Sequence, residues 1–190
     1  DVAAEAAAYR PAFSHLALLE QIPGVDVVDR VTAEKGSPLA PRETALLYER
    51  RRAARAWLET YAPESACIVV QEQLPDPAKD LALDQRGYLW SLALSAESEP
   101  PLPGEDWQAM IFAHRQNFPE VTSRRAFEAI YLAFLGRPSG PRAGWLLASL
   151  DPRFVERRLF EAAGREGAAA HDKALADAIE RARAETSVDT

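Results

Sequence analysis

The sequence predicts an all-α chain, and three observations carry that prediction. Alternating period-2 runs are nearly absent; CIVV (67–70) is the best strand candidate and it is short. Apolar residues recur at helical spacing through most of the 190 residues. Prolines and glycines fall between these periodic runs, where they punctuate helices. At 47% apolar residues a packed core is expected rather than disorder. The expected architecture is helices of about two to five turns joined by short Pro/Gly loops.

Helices are predicted near 13–22 and 24–35. In PRETALLYERRRAARAWLETYAPE (41–64), Leu47, Ala54, Trp57, Leu58 and Tyr61 share a face, and Pro63 ends the helix. Its flank carries Arg51, Arg52 and Arg55 with their heads close together. Further helices are expected near 82–97 and 105–117, with ESEPPLPG (97–104) as the clearest linker. In TSRRAFEAIYLAFLG (122–136), Thr122 is the N-cap, Phe127, Ile130, Tyr131, Phe134 and Leu135 form the buried stripe, and Gly136 is the stop. The next helix opens with Pro141. DPRFVERRLFEAAG (151–164) has an Asp cap, Pro at the first position, a Val155–Leu159 stripe and Gly164 at its end; Arg153, Arg157 and Arg158 lie on the other face. An Ala/Glu/Arg-rich helix follows Gly167, then a polar tail, ETSVDT, expected to fray. Asp1–Arg10 looks like a helix already under way.

No apolar run reaches the length of a membrane span, and no basic-then-apolar leader opens the chain. Cys67 is the single cysteine, which excludes an internal disulfide and a cysteine-rich zinc site; a cytoplasmic protein fits. The only methionine is Met110 and residue 1 is Asp, so a piece of something longer is expected.

Catalytic signatures are missing. His15, His114 and His171 are not at metal spacing, and no nucleophile elbow, Walker A loop or dinucleotide fingerprint occurs. EKGSP (34–38) lacks the repeated Lys and Ser of a nucleotide-binding loop. Acid pairs such as Asp76/Asp80 sit beside prolines in solvent-like sequence. A small helical enzyme would need a titratable cluster, and none is visible.

What remains is a surface. Net charge is −7, yet residues 115–165 hold nine arginines against five acids. A domain with one basic end can meet a polyanion with that end leading. In LGRPSGPRAGW (135–145), Arg137 and Arg142 flank a glycine-rich break and Trp145 follows one turn into the next helix. Guanidinium forks suit phosphates and base edges, and an indole ring can stack on an unpaired base. The same residues also fit plainer roles: Trp145 with Leu146 and Leu147 as core, Arg137 and Arg142 as solvated or capping groups, and Arg153/Arg157/Arg158 as a solvated stripe paired to Glu156 and Glu161.

Taken together, the segment FEAIYLAFLGRPSGPRAGWLLASLDPRFVERRLFEAAG (127–164) resembles the end of class I lysyl-tRNA synthetases. The shared pattern is an aromatic-rich helix, a Leu-Gly turn, Gly-Pro-Arg with a short helix, a Leu-Asp break and a final Phe-Val…Arg-Leu helix. RPAFSHLALLEQI (10–22) resembles the family's Phe-Ser-His-Leu segment, and RAWLETYAPE (55–64) its Trp-Leu…Tyr-Ala-Pro stretch. Glutamyl-tRNA synthetases have a similar Gly…Gly-Pro ending, but not the other two segments. The turn departs from the family in having Arg-Pro-Ser where Lys-Glu-Arg is commoner, and the tail from about 168 has no counterpart.

The resemblance implies an anticodon-binding domain of the α-helix cage type. It divides the chain into a stem-contact-like portion (1–100), the cage (101–167) and a C-terminal helix with a frayed tail (168–190). It implies lysine tRNA as partner, a monomer, and no membrane. The family's HIGH and KMSKS signatures are absent, so ATP and lysine would bind a catalytic domain missing from this chain, which itself holds no cofactor. By the same resemblance Arg142 and Trp145, with Arg124 or Arg125, line the anticodon pocket, Arg137 flanks it, and Arg153, Arg157 and Arg158 meet the RNA backbone. The alternative is a stand-alone helical module of the same fold that binds a protein.

Overall fold

The computed structural model describes residues 8–98 and 103–188, with side chains described to 184. Eight α-helices and two 3-10 turns occur among them, and no strand. The chain divides into two compact units, Asp1–Val69 and Val70–Thr190. The helix at 83–98 packs within the second unit.

The first unit holds α1 (Phe13–Leu19), α2 (Val27–Lys35) and α3 (Pro41–Thr60). Leu16, Leu19, Val27, Val31, Leu47 and Ala54 form its core, with Trp57 and Leu58 packed against it. Asp26 caps α2, its Oδ1 accepting from Val28 N at 2.8 Å and Asp29 N at 3.1 Å. Glu43, in the first turn of α3, accepts from Ala40 N, Tyr9 N and Lys35 Nζ, which together hold its carboxyl down to about 2. Two expectations are corrected here. Tyr61 is 77% exposed, because α3 ends at Thr60 before the ring's turn reaches the core. The segment 67–70 is no strand: it is extended, with no partner strand, and Ile68 N donates to Gln21 Oε1. Of the α3 arginines, Arg51 and Arg55 share Glu20, one on each carboxylate oxygen at 2.5 Å.

The second unit holds α4 (Leu83–Ser98), α5 (Gly104–Arg115), α6 (Ser123–Leu135), α7 (Ala143–Ser149) and α8 (Pro152–Val188). Tyr88, Leu89, Leu92, Ile111, Ile130, Phe134, Leu146 and Leu147 are at its centre. α4 and α8 run antiparallel: Gly87 meets Ala170 and Trp90 meets Phe160, with the rings 4.8 Å apart. α8 is broken where the sequence places a stop, since Gly164 has φ 64° and ψ −172°. Helix resumes at once, so the last helix begins before Gly167, and its backbone stays helical to Val188. α7 starts at Ala143 with Arg142 as N-cap, two residues later than expected; Pro141 lies outside because its carbonyl is taken by the Tyr131 hydroxyl. The expectations for residues 1–7, the middle of the 97–104 linker and the last two residues lie outside the described residues. Among the described residues no helix is long and apolar enough to cross a membrane.

Candidate functional site

The break between α6 and α7 is built for close approach. Gly136 ends α6 in the left-handed region at φ 68°. The chain then turns back so that α7 lies on α5. A Cβ on Gly144 would collide with the carbonyl oxygen of Gly104 and lie 2.8 Å from Gln108 N. Gly144 N donates to Gln108 Oε1 at 3.3 Å, a partner the sequence did not single out because it lies 36 residues away. The Tyr131 hydroxyl donates to Pro141 O at 2.5 Å and fixes the turn. Burial raises that hydroxyl's pKa.

Trp145 and Arg142 come together at this turn. The indole ring rests on Gly104, where a Cβ would lie 2.7 Å from the ring. The Arg142 guanidinium carbon lies over the same ring, 4.1 Å from its centroid. Trp145 is half-buried and Arg142 is exposed. The ring is therefore the support and the guanidinium is the presented surface. The outer face and edge of the Arg142 guanidinium, rather than the indole, are open to solvent.

The other arginines separate into two groups. Arg124 and Arg153 are exposed, and Arg137 is half-buried. Arg157 is exposed, lies 5.6 Å from the Phe154 ring centroid, and borders a cleft of about 620 Å³ with Lys79, Gln73 and Glu161. Arg125 is spent internally: its fork grips Asp84 at 2.5 and 2.8 Å and Nη1 also donates to Glu120 O. That carboxylate holds the guanidinium pKa above its usual value.

Arg158 corrects the sequence-based expectation outright. It is 1% exposed. Nη1 donates to Ala133 O at 2.9 Å, Nη2 to Glu72 O at 2.7 Å, and Nε to Glu161 Oε2 at 3.1 Å. Ala133 is in the last turn of α6, where carbonyls lack helical partners. Gly136 N takes Leu132 O and Gln71 N takes Phe134 O, so with Arg158 on Ala133 O three of the last four carbonyls have donors. Its positive charge also suits a helix C-terminus. A side chain so enclosed does not meet an RNA backbone.

Two of the histidines tie helices together. His15 is buried and its Nε2 lies 2.9 Å from both oxygens of Glu34. His114 bridges the hydroxyls of Ser91 and Ser95, linking α5 to α4, and burial followed by His171 pushes its pKa down.

No family model matches the chain. Its relatives among curated proteins include three named lysine–tRNA ligase. The Methanosarcina barkeri protein is 28% identical over 165 residues, covering 79% of this chain and 31% of its own length. The Pyrococcus horikoshii protein is 29% identical over 154 residues, covering 77% and 28%. The Thermoplasma acidophilum protein is 31% identical over 147 residues, covering 77% and 28%. The chain thus spans less than a third of the length of these relatives, and over most of its own length it is similar to one region of lysine–tRNA ligases.

Proposed function

We propose that this chain is the non-catalytic, tRNA-binding helical region of a class I lysine–tRNA ligase, and that its second unit takes the anticodon loop of lysine tRNA. Lysine activation with ATP would belong to a catalytic domain outside this sequence. The observation that carries the reading is the Arg142–Trp145 pair, an exposed guanidinium held flat on an indole at a turn whose glycines admit no side chain. The similarity of most of the chain to lysine–tRNA ligases supports the choice of tRNA. Anticodon bases are unpaired and can be splayed onto such a surface, while Arg124, Arg153 and Arg157 hold phosphates and give register. With a net charge of −7, isolated affinity is expected on the order of micromolar or poorer at physiological salt.

The test is fluorescence anisotropy of the chain against a lysine tRNA transcript, beside the same transcript with its anticodon changed. Arg142→Ala is expected to weaken binding about tenfold and to narrow the gap between the two transcripts. Unchanged affinity and unchanged discrimination would refute the assignment. One feature favours the alternative of a protein-binding module: a groove of about 650 Å³ lined by Phe118, Pro119, Ala170 and Ala174. Absence of RNA binding even at low salt would transfer the function to that groove.

A further inference from the structure

Trp145 lies between Gly104 and Arg142, so it leaves the site without an open aromatic ring. The structure holds one nearby. Phe112 on α5 is 44% exposed. A single exposed apolar residue is ordinary, but Phe112 is tied into an aromatic row. Its ring stands edge-to-face with Phe127 at 5.6 Å and 80°. Phe127 lies near-parallel to Tyr131 at 6.5 Å and 23°. Tyr131 donates to Pro141 O, the residue before Arg142. The row therefore runs from a solvent-facing ring to the turn that presents Arg142.

The two ends share one face of α5. Gly104 and Gln108 carry α7, and Phe112 continues the same i, i+4, i+8 stripe. Gly104 and Phe112 are about 12 Å apart along the helix axis. Each ring has an arginine one turn away: Arg115 follows Phe112 by three residues, and Arg124 precedes Phe127 by three. An open ring one helical turn from an arginine, on the helix face that carries the turn with a flat guanidinium, suits a strand of unpaired bases whose phosphates run alongside.

We propose that Phe112 is a second base-stacking platform, braced by Phe127 and Tyr131, which takes a different unpaired base of the same RNA loop from the one met by Arg142. This rests on the reading of the second unit as an RNA-binding surface. It places the occupant as single-stranded RNA, bound by ring stacking at one point and by a cation at the other.

The test uses the full 190-residue chain and the labelled anticodon stem-loop of a lysine tRNA, titrated from low to physiological salt. Phe112→Leu keeps apolar bulk and removes the ring; Phe112→Trp keeps a ring. Phe112→Leu is expected to weaken binding roughly five- to a hundredfold, the span of base–ring stacking, with the salt slope unchanged. Phe112→Trp is expected to bind like the wild type. Arg142→Ala is expected to lower both affinity and salt slope. If Phe112→Leu stays within about twofold of the wild type, or Phe112→Trp loses as much as Phe112→Leu while melting normally, the second platform is refuted. In that case a loss from Arg142→Ala leaves the proposed function standing. If the wild type does not bind the stem-loop at low salt, both readings fall.

Discussion

Replacing Arg158 by methionine should unfold the second unit early without changing any surface the RNA is proposed to touch. The substitution keeps an unbranched apolar stem and deletes the fork. Two carbonyl oxygens, Ala133 O and Glu72 O, then lose donors at 2.9 and 2.7 Å. Hydrogen bonds from a charged donor contribute about 1.5–3 kcal/mol each. Relief of the buried guanidinium's desolvation offsets part of this. Burial already lowers the pKa of that guanidinium, so the offset is real. A net loss of about 3 kcal/mol follows, because Ala133 O stays buried at the end of α6 and Glu72 O loses a charged donor. For a unit of this size that is a fall in Tm of about 12 °C. Far-ultraviolet circular dichroism during a thermal ramp reads it directly. Arg158→Lys should fall between, since one ammonium cannot span both carbonyls. Arg157→Met, on the exposed side of the same helix, should stay within about 0.5 kcal/mol of wild type. If Arg158→Met melts with the wild type, or if Arg157→Met melts as early as Arg158→Met, the capping role assigned to Arg158 is wrong.

Other outcomes follow from the same geometry. Gly144→Ala should destabilise the second unit by about 1–2 kcal/mol, because the overpacking against Gly104 O and Gln108 N exceeds the helix-propensity gain of alanine; a denaturant midpoint at or above the wild-type value would contradict the α5–α7 contact. Glu43 has its carboxyl lowered from 4.5 to about 2 by Lys35 and the Ala40 and Tyr9 amides. A depressed folded-state pKa gives stability that is present above pH 4.5 and fades as pH falls toward 2. Glu43→Gln should therefore flatten the acid limb of the first unit's stability profile, and an unchanged limb would show that the carboxylate contributes nothing there.

Helix positions were legible in the sequence because their determinants are local. Asp26, Thr122 and Asp151 each accept, through a side-chain oxygen, from amides two or three residues on, and Gly36 and Gly136 stop their helices within one residue. The Gly164 stop and a helix after Gly167 were also legible, but not that helix would resume directly at the stop, since that depends on α4 lying alongside. The site was half legible. Arg142 and Trp145, three residues apart, could be paired from spacing alone. That the ring would be the support and the cation the surface depends on Gly104, 41 residues earlier, which no local pattern connects to it.

Arg158 shows where the boundary lies. Its spacing from Val155 and Ala162, three before and four after, put it on the edge of the buried stripe, and that signal was available. Charge argued for solvent. The decision came from carbonyls 25 and 86 residues away, one at the end of α6 and one in the loop at Glu72, which packing brings beside α8. The sequence by itself determined that the chain is helical, where most helices start and stop, and which turn carries the cations. The tertiary structure decided which of those cations face outward, because burial of a charge is settled by the partners that packing brings to it, and not by the residues beside it in the chain.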